Sequence, residues 1–268
     1  MKTRFTLMST GALCAMSLST AALAGPFAPA AGQPGSTAIH MDDPAFVGWA
    51  TGVEDYVVGA DVAATWQTPQ KALGKAVGDS YDIVSLGDLG SITLSFDGFI
   101  TDGVGADFAV FENSFSATFL ELAFVEVSSN GTDFFRFDTY SFTASPVGGF
   151  GAVDPTNIDG FAGKYQQGYG TPFDLADLAG IDGLDINAVS HVRLVDVLGN
   201  GSEFDDYPVE YGGPHPIYDP YKTVGSAGFD LDAVGVIHMA AAVPEPESYA
   251  LFLAGLGLIG TVARRRAR

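Results

Sequence analysis

From Tyr81 onward the chain is written in short runs of strand-type residues cut apart by glycine-rich turns. Ser91 to Phe96 (SITLSF) alternates polar and apolar with period 2, which places successive side chains on opposite faces of a strand. Asp107 to Phe111 (DFAVF) follows the turn-like DGVGA. Leu120 to Ser128 (LELAFVEVS) leads into Asn130-Gly131, the strongest short hairpin signal, and Phe134 to Phe142 (FFRFDTYSF) reads as its return strand. His191 to Leu198 (HVRLVDVL), apolar on both faces, predicts a central strand. Phe229 to His238 (FDLDAVGVIH) predicts a last buried one. Ser145 to Gly170 and Gly199 to Gly225 are long loops, and Pro172 to Ala179 predicts one or two helical turns with Asp174 placed to cap. Signals from Ala38 to Gly78 are mixed, with Thr65 to Leu73 a strand end followed by a turn. There is no repeat and no heptad. Many short strands, long loops and almost no helix predict an all-β fold, an antiparallel β-sandwich.

Both ends read as export labels. Lys2 and Arg4 precede an apolar, small-residue stretch from Leu7 to Leu23, and Ala22-Leu23-Ala24 is an A-x-A-type site, so residues 1–24 predict a signal peptide for Sec export. The single cysteine, Cys14, lies inside it, and Ala12 and Leu13 before it suit a lipoprotein site poorly. The mature chain then has no cysteine and is exported without disulfides. At the other end, Val243-Pro244-Glu245-Pro246-Glu247 is stiff and extended. Tyr249 to Ala263 is an uncharged run of 15 residues, and Arg264, Arg265, Arg266 and Arg268 close the chain as a membrane stop with its basic end in the cytoplasm. As a helix this run spans only ~22 Å against a hydrocarbon core of ~30 Å. Gly255, Gly257 and Gly260 weaken it further, which suits a temporary anchor.

In these three parts the tail resembles the PEP-CTERM sorting signal of Gram-negative bacteria that make extracellular polysaccharide. The resemblance implies recognition by exosortase, a membrane protease, with cleavage near Val243, Pro244, Glu245 and Pro246. It also implies transient anchoring in the inner membrane, then delivery to the cell surface or extracellular matrix. The plainer reading is an ordinary single-span anchor. The organisation expected is a signal peptide (1–24), a flexible lead-in (25–37), one sandwich-sized domain (38–242) and the sorting signal (243–268). A further resemblance lies in FVEVSSNGTDFFRF, VRLVDV and FDLDAVGVI, which look like the second half of a galactose-binding-like jelly roll, the fold of many carbohydrate-binding modules. It implies a jelly-roll-like sandwich. GSITLSF, DFAVFENSF, KYQQGYGTPFDL and GFDLDAVGV also resemble a group of bacterial surface proteins whose role is unknown.

Between the two labels stand six basic and 30 acidic side chains, a net charge near −24. Nucleic acid and anionic membrane surfaces are repelled by such a chain. Several of these acids share a strand face with core-type residues: Glu112 with Phe108 and Val110, Asp196 with Val192 and Leu194, Asp230 and Asp232 with Val234 and Val236. A buried carboxylate must be paired or bind metal, and only Arg136 and Arg193 are available as arginine partners. Calcium takes six to eight oxygens in irregular geometry, so Asp107, Glu112, Asn113, Asp196, Asp230 and Asp232 are expected as its ligands. The plainer reading is that each lies solvated or salt-bridged at a strand rim.

Zinc is not expected, since His40, His191, His215 and His238 are scattered with no cysteine among them. No G-x-S-x-G is present, Gly78-Asp79-Ser80 reads as a turn, and Asn130-Gly131-Thr132 and Asn200-Gly201-Ser202 read as turns before glycosylation sites. Trp49, Trp66, Tyr165, Tyr169, Tyr218 and Tyr221 fall in loop-like stretches and could offer rings to a polysaccharide, or simply pack under the loops. The function expected is therefore a non-catalytic, calcium-stabilised surface domain that binds polysaccharide. The alternatives are a secreted glycan hydrolase using two carboxylates, or a purely structural matrix protein.

Overall fold

The structure, a computed structural model, describes residues 24–241. The expected signal peptide, the C-terminal helix and the arginine stop lie outside the described residues. Among the described residues sixteen strands occur in chain order. The first eight are β1 (Ile39–His40), β2 (Gly48–Trp49), β3 (Gly52–Val57), β4 (Val84–Ser85), β5 (Ser91–Ile100), β6 (Phe108–Glu112), β7 (Ala123–Ser128) and β8 (Phe135–Arg136). The rest are β9 (Tyr140–Ser141), β10 (Ile158–Asp159), β11 (Tyr169–Phe173), β12 (Val189–Asp196), β13 (Asn200–Phe204), β14 (Pro216–Tyr218), β15 (Asp230–Val236) and β16 (Met239–Ala241). The helices among the described residues are short 3₁₀ turns, and none is long and apolar enough to cross a membrane.

Two six-stranded sheets carry the fold. The first runs β1-β11-β6-β15-β2 with β4 also on β15, and the second runs β16-β5-β12-β7-β8 with β3 also on β5. Every strand pairing within them is antiparallel. Phe108, Val110, Leu231, Val234 and Val236 of the first sheet share one buried cluster with Ile92, Leu94, Val125, Val127, Val192 and Leu194 of the second. The alternation seen in the sequence supplies these inward faces. The outer face of the first sheet is covered as well: Ala109, Phe111 and Ala233 pack against Ile39, Phe46 and Trp49. That double cover is why all of β15 is buried.

Four sequence expectations change. β12 is central, between β5 and β7, but only one face is fully buried; the other carries half-buried Ser190, His191, Arg193 and Val195. The Asn130-Gly131 signal marks a longer loop, because Val127 pairs with Phe135. Ser128 Oγ accepts the N–H groups of Asn130 and Gly131 there, and Asn130 Oδ1 accepts those of Thr132 and Asp133. The return strand is broken after Arg136. Asp206 takes the Thr139 N–H at 2.9 Å and Asp205 the Ser141 N–H at 2.7 Å, so β9 leaves the sheet and pairs with β10. Thr65 to Leu73 holds two 3₁₀ turns and no strand. Asp174 caps its turn as expected, accepting the Ala176 N–H. The two long loops fold back on the second sheet, with Val153, Ile158, Phe161 and Ile217 packed on Phe124 and Val195.

Candidate functional site

The six basic side chains of the described residues are all engaged elsewhere than at the acids expected to bind calcium. Arg136 and Arg193 both turn onto Glu126, at 2.8 and 2.5 Å. Lys71 faces Asp82, Lys75 faces Asp42, Lys164 faces Asp159 and Lys222 faces Asp61. Most of the inward acids are answered by backbone instead. Asp196 accepts the Leu89 N–H at 2.9 Å and the Phe229 N–H at 2.7 Å. Asp232 accepts Val77 and Gly78 at 3.0 and 2.8 Å. Asp107 accepts Gly103 at 2.8 Å and Leu175 at 2.7 Å, with His238 Nδ1 at 2.7 Å. Each of these carboxylates joins segments far apart in sequence, as a buried staple. The fit is close: a Cβ on Gly228 would stand 2.3 Å from Asp196 Oδ1, and Leu89 is held at φ +61° beside that staple.

The six expected calcium ligands are thus distributed over four places. Asp107, Asp196 and Asp232 stand apart, and Glu112, Asn113 and Asp230 come together. β15 lies between β4 and β6 there, with Asp230 opposite Ser85 and the Asn113 amide donating to Asp230 Oδ2 at 3.2 Å. Glu121, which the sequence reading passed over, joins them, held by the Thr223 hydroxyl at 3.0 Å. Glu112 Oε1, Asp230 Oδ1 and Ser85 Oγ are buried with no hydrogen-bond partner. Burial first, then the neighbouring Asp230, pushes the carboxyls of Glu112 and Glu121 well above the usual range. Burial pushes Asp230 up to about 7, against the pull of Ser85, Asn113 and Ser226.

These acids form the floor of a pocket of about 260 Å³, lined by Asn113, Glu121 and Asp230. Its walls are aromatic. Trp66 and Tyr81 stack at 6.5 Å; Phe115 and Phe119 stack at 4.5 Å, and Phe150 extends that second stack at 6.0 Å. Tyr81, Phe115 and Phe150 are 72%, 63% and 88% exposed, so the walls are open to solvent. The Phe115–Phe119 wall is wired locally: the single Ser114 O–H is shared between the carbonyls of Ser116 and Phe119, and Ser116 Oγ accepts the Phe119 N–H at 3.0 Å.

Of the six aromatics expected to face a ligand, Trp66 alone lines this pocket. Tyr165 is buried with its hydroxyl on Thr37, so it packs in the interior and offers no platform. Trp49 packs on Phe46 and Phe111, and Tyr169 meets His40 edge-on. Tyr218 lies in β14 against Gly201, and Tyr221 follows it with its N–H on Val147 O. Phe115, Phe119 and Phe150 were passed over because only Trp and Tyr were weighed; their spacing in a loop after a buried strand was the available signal. Gly78-Asp79-Ser80 is a turn in which Asp79 accepts the N–H groups of Tyr81 and Asp82. Among the described residues, the one group of three acids with oxygens within 4.8 Å of one another is Asp102, Asp107 and Asp174.

No curated protein matches the chain. Residues 242–267 match the PEP-CTERM protein-sorting motif. The chain therefore carries the signal read by exosortase, a membrane protein, and that signal implies export to the surface or extracellular space through a membrane-anchored stage.

Proposed function

We propose that this is a non-catalytic surface or matrix protein whose β-domain, a jelly-roll-like sandwich, binds extracellular polysaccharide in the pocket between Trp66 and Phe119. The open aromatic walls over a polar floor carry the reading. A pyranose has an apolar face for a ring and an equatorial rim of hydroxyls for Asn113, Glu121 and Asp230. Titration of the exported protein with its host's polysaccharide tests it. Trp66→Ala and Tyr81→Ala are expected to weaken binding about tenfold each, with melting points little changed. Undiminished binding by both variants would remove the pocket from the reading.

The domain is further proposed to be calcium-stabilised. Asp102, Asp107 and Asp174 would hold the ion, since Asp102 Oδ1 is buried there without a donor. Glu112, Asn113, Asp196, Asp230 and Asp232 lie outside that group. Calcium at a hundredfold excess over its Kd adds about 2.7 kcal/mol, a shift of several degrees in Tm. An unchanged Tm between calcium and EDTA would dispose of it. A second reading, a glycan hydrolase, is favoured by one observation: Glu121 and Asp230 line a pocket with carboxyls held above their usual range. Shortening of the polysaccharide on incubation, lost in Asp230→Asn, would select it.

A further inference from the structure

We infer that the sugar seated in this pocket carries a free amine: the ligand is a polysaccharide containing unacetylated, positively charged amino-sugar residues. The inference rests on the glycan reading above and names its ligand class. Two acids, Glu121 and Asp230, line the floor with Glu112 behind them, and no basic side chain answers them. Lys222 lines the same pocket, but its ammonium is turned onto Asp61. Both arginines are spent on Glu126, on another sheet. Asp230 is 3% exposed and lines the pocket with Oδ1 unpartnered; Glu112, behind it, is 1% exposed with Oε1 unpartnered. The staples at Asp196 and Asp232 show what this chain does with an inward acid that needs only hydrogen bonds: it brings loop N–H groups to it. Here it leaves acceptors bare.

Two occupants could supply a positive charge that holds these carboxyls ionised against burial. A metal ion needs oxygens converging on one point, and these three acids do not form a group within 4.8 Å. An ammonium needs no such cage. It has three N–H donors at separate angles, each reaching one acceptor at about 2.8 Å. The walls point the same way, since rings flanking a cation attract it through their faces, and a metal site has no use for them. The volume, about 260 Å³, sits just below the roughly 300–1,000 Å³ of drug-sized sites and suits a single sugar residue of a longer chain.

The test is calorimetric titration of the whole exported protein with three probes of equal length: oligomers of glucosamine, of N-acetylglucosamine and of glucose. Glucosamine oligomers are expected to bind at least tenfold tighter than either neutral series at low salt, and to lose most of that margin at high salt. Asp230→Asn and, separately, Glu121→Gln are expected to remove the margin, so that glucosamine oligomers bind no tighter than the neutral series. Tm values for both variants show that they fold. Equal affinity for all three series would overturn the amine and leave the glycan pocket standing; no binding by any series would overturn both. Binding of glucosamine oligomers that strengthens on adding calcium would also overturn it, because it would put a metal where the amine is placed.

Discussion

Asp196 and Asp230 sit on central strands of the two sheets, each almost fully buried, and they are used in opposite ways. Asp196 is closed by two backbone N–H groups from Leu89 and Phe229. Asp230 receives one long amide bond from Asn113, has the Ser85 and Ser226 hydroxyls beside it, and keeps Oδ1 without a hydrogen bond. The environment around each decides this. Asp196 faces the ends of two turns whose first N–H groups have no ladder partner, so the carboxylate completes their accounting. Asp230 faces a gap between loops that no backbone crosses. A chain with few bases can thus bury acids for two purposes: to tie loops to sheets, and to leave a negative, water-poor recess. The first use builds the fold and the second costs it stability.

The largest effect expected from this contrast is at a staple. Asp196→Ala strands two buried N–H groups, each worth about 1–3 kcal/mol, so a loss of roughly 2–5 kcal/mol is expected, read as a drop in Tm of about 5–15 °C. Asp196→Asn keeps one acceptor and should lose about half as much. A loss below 1 kcal/mol for the alanine variant would mean that water replaces the carboxylate, and the distinction between the two classes would fail.

The next effect is in pH. Burial, then the charge of Asp196, pushes the Asp219 carboxyl well above its free value of 3.8. The folded protein therefore holds that proton more tightly than the unfolded chain does. The stabilising contribution is complete below 3.8 and is lost as pH rises through the folded value. Thermal melts in EDTA should give a Tm that falls from mildly acid to mildly alkaline pH, by up to about 1.4 kcal/mol per unit for one group. Asp219→Asn should flatten that slope. A Tm that climbs over the same range would contradict the direction. A smaller change is expected at the turn beside the Asp196 staple. Leu89 is exposed at φ +61°, so Leu89→Gly relieves left-handed strain of about 1–2 kcal/mol and returns part of it as chain entropy. The measurable gain is up to about 1 kcal/mol by denaturant melt.

Strand β5, the buried run of β15 and the cap at Asp174 were legible because each depends on spacing along a few residues. The inward placement of Glu112 and Asp196 was legible for the same reason. A register shift between Leu231 and Ala233, by contrast, brings Leu231 onto the core face with Val234 and Val236, so Asp230 and Asp232 are buried without sharing the face that strict alternation gave them. The partners of these acids were not legible. The donors to Asp196 lie 107 and 33 residues away in sequence, and backbone N–H groups have no residue identity to read. Counting arginines therefore suggested that a metal must balance these acids, when loops do most of it. Glu121 fell inside the predicted strand Leu120 to Ser128, in phase with Ala123, Val125 and Val127, so alternation did mark it as inward and it was passed over. The pocket escaped because its walls come from three segments, around Trp66, Phe115 and Phe150, brought together only by the loops.

The smallest expected effect is the most discriminating. If the floor acids are not structural, Asp230→Asn should change stability by no more than about 1 kcal/mol, and in the stabilising direction at pH 8. It removes a charge compensated by one long amide bond and by the Ser85 and Ser226 hydroxyls, with no backbone N–H. Replacing poorly compensated buried charge with a neutral group of similar volume is often neutral or favourable. The same substitution at Asp196 also neutralises a buried acid, yet it breaks a two-donor staple and must lose stability. Paired denaturant melts of the two variants at one pH isolate that difference, since side-chain change and burial are nearly matched. Equal losses would show that Asp230 is another staple with an unseen donor, and the recess would then be ordinary packing beneath loops.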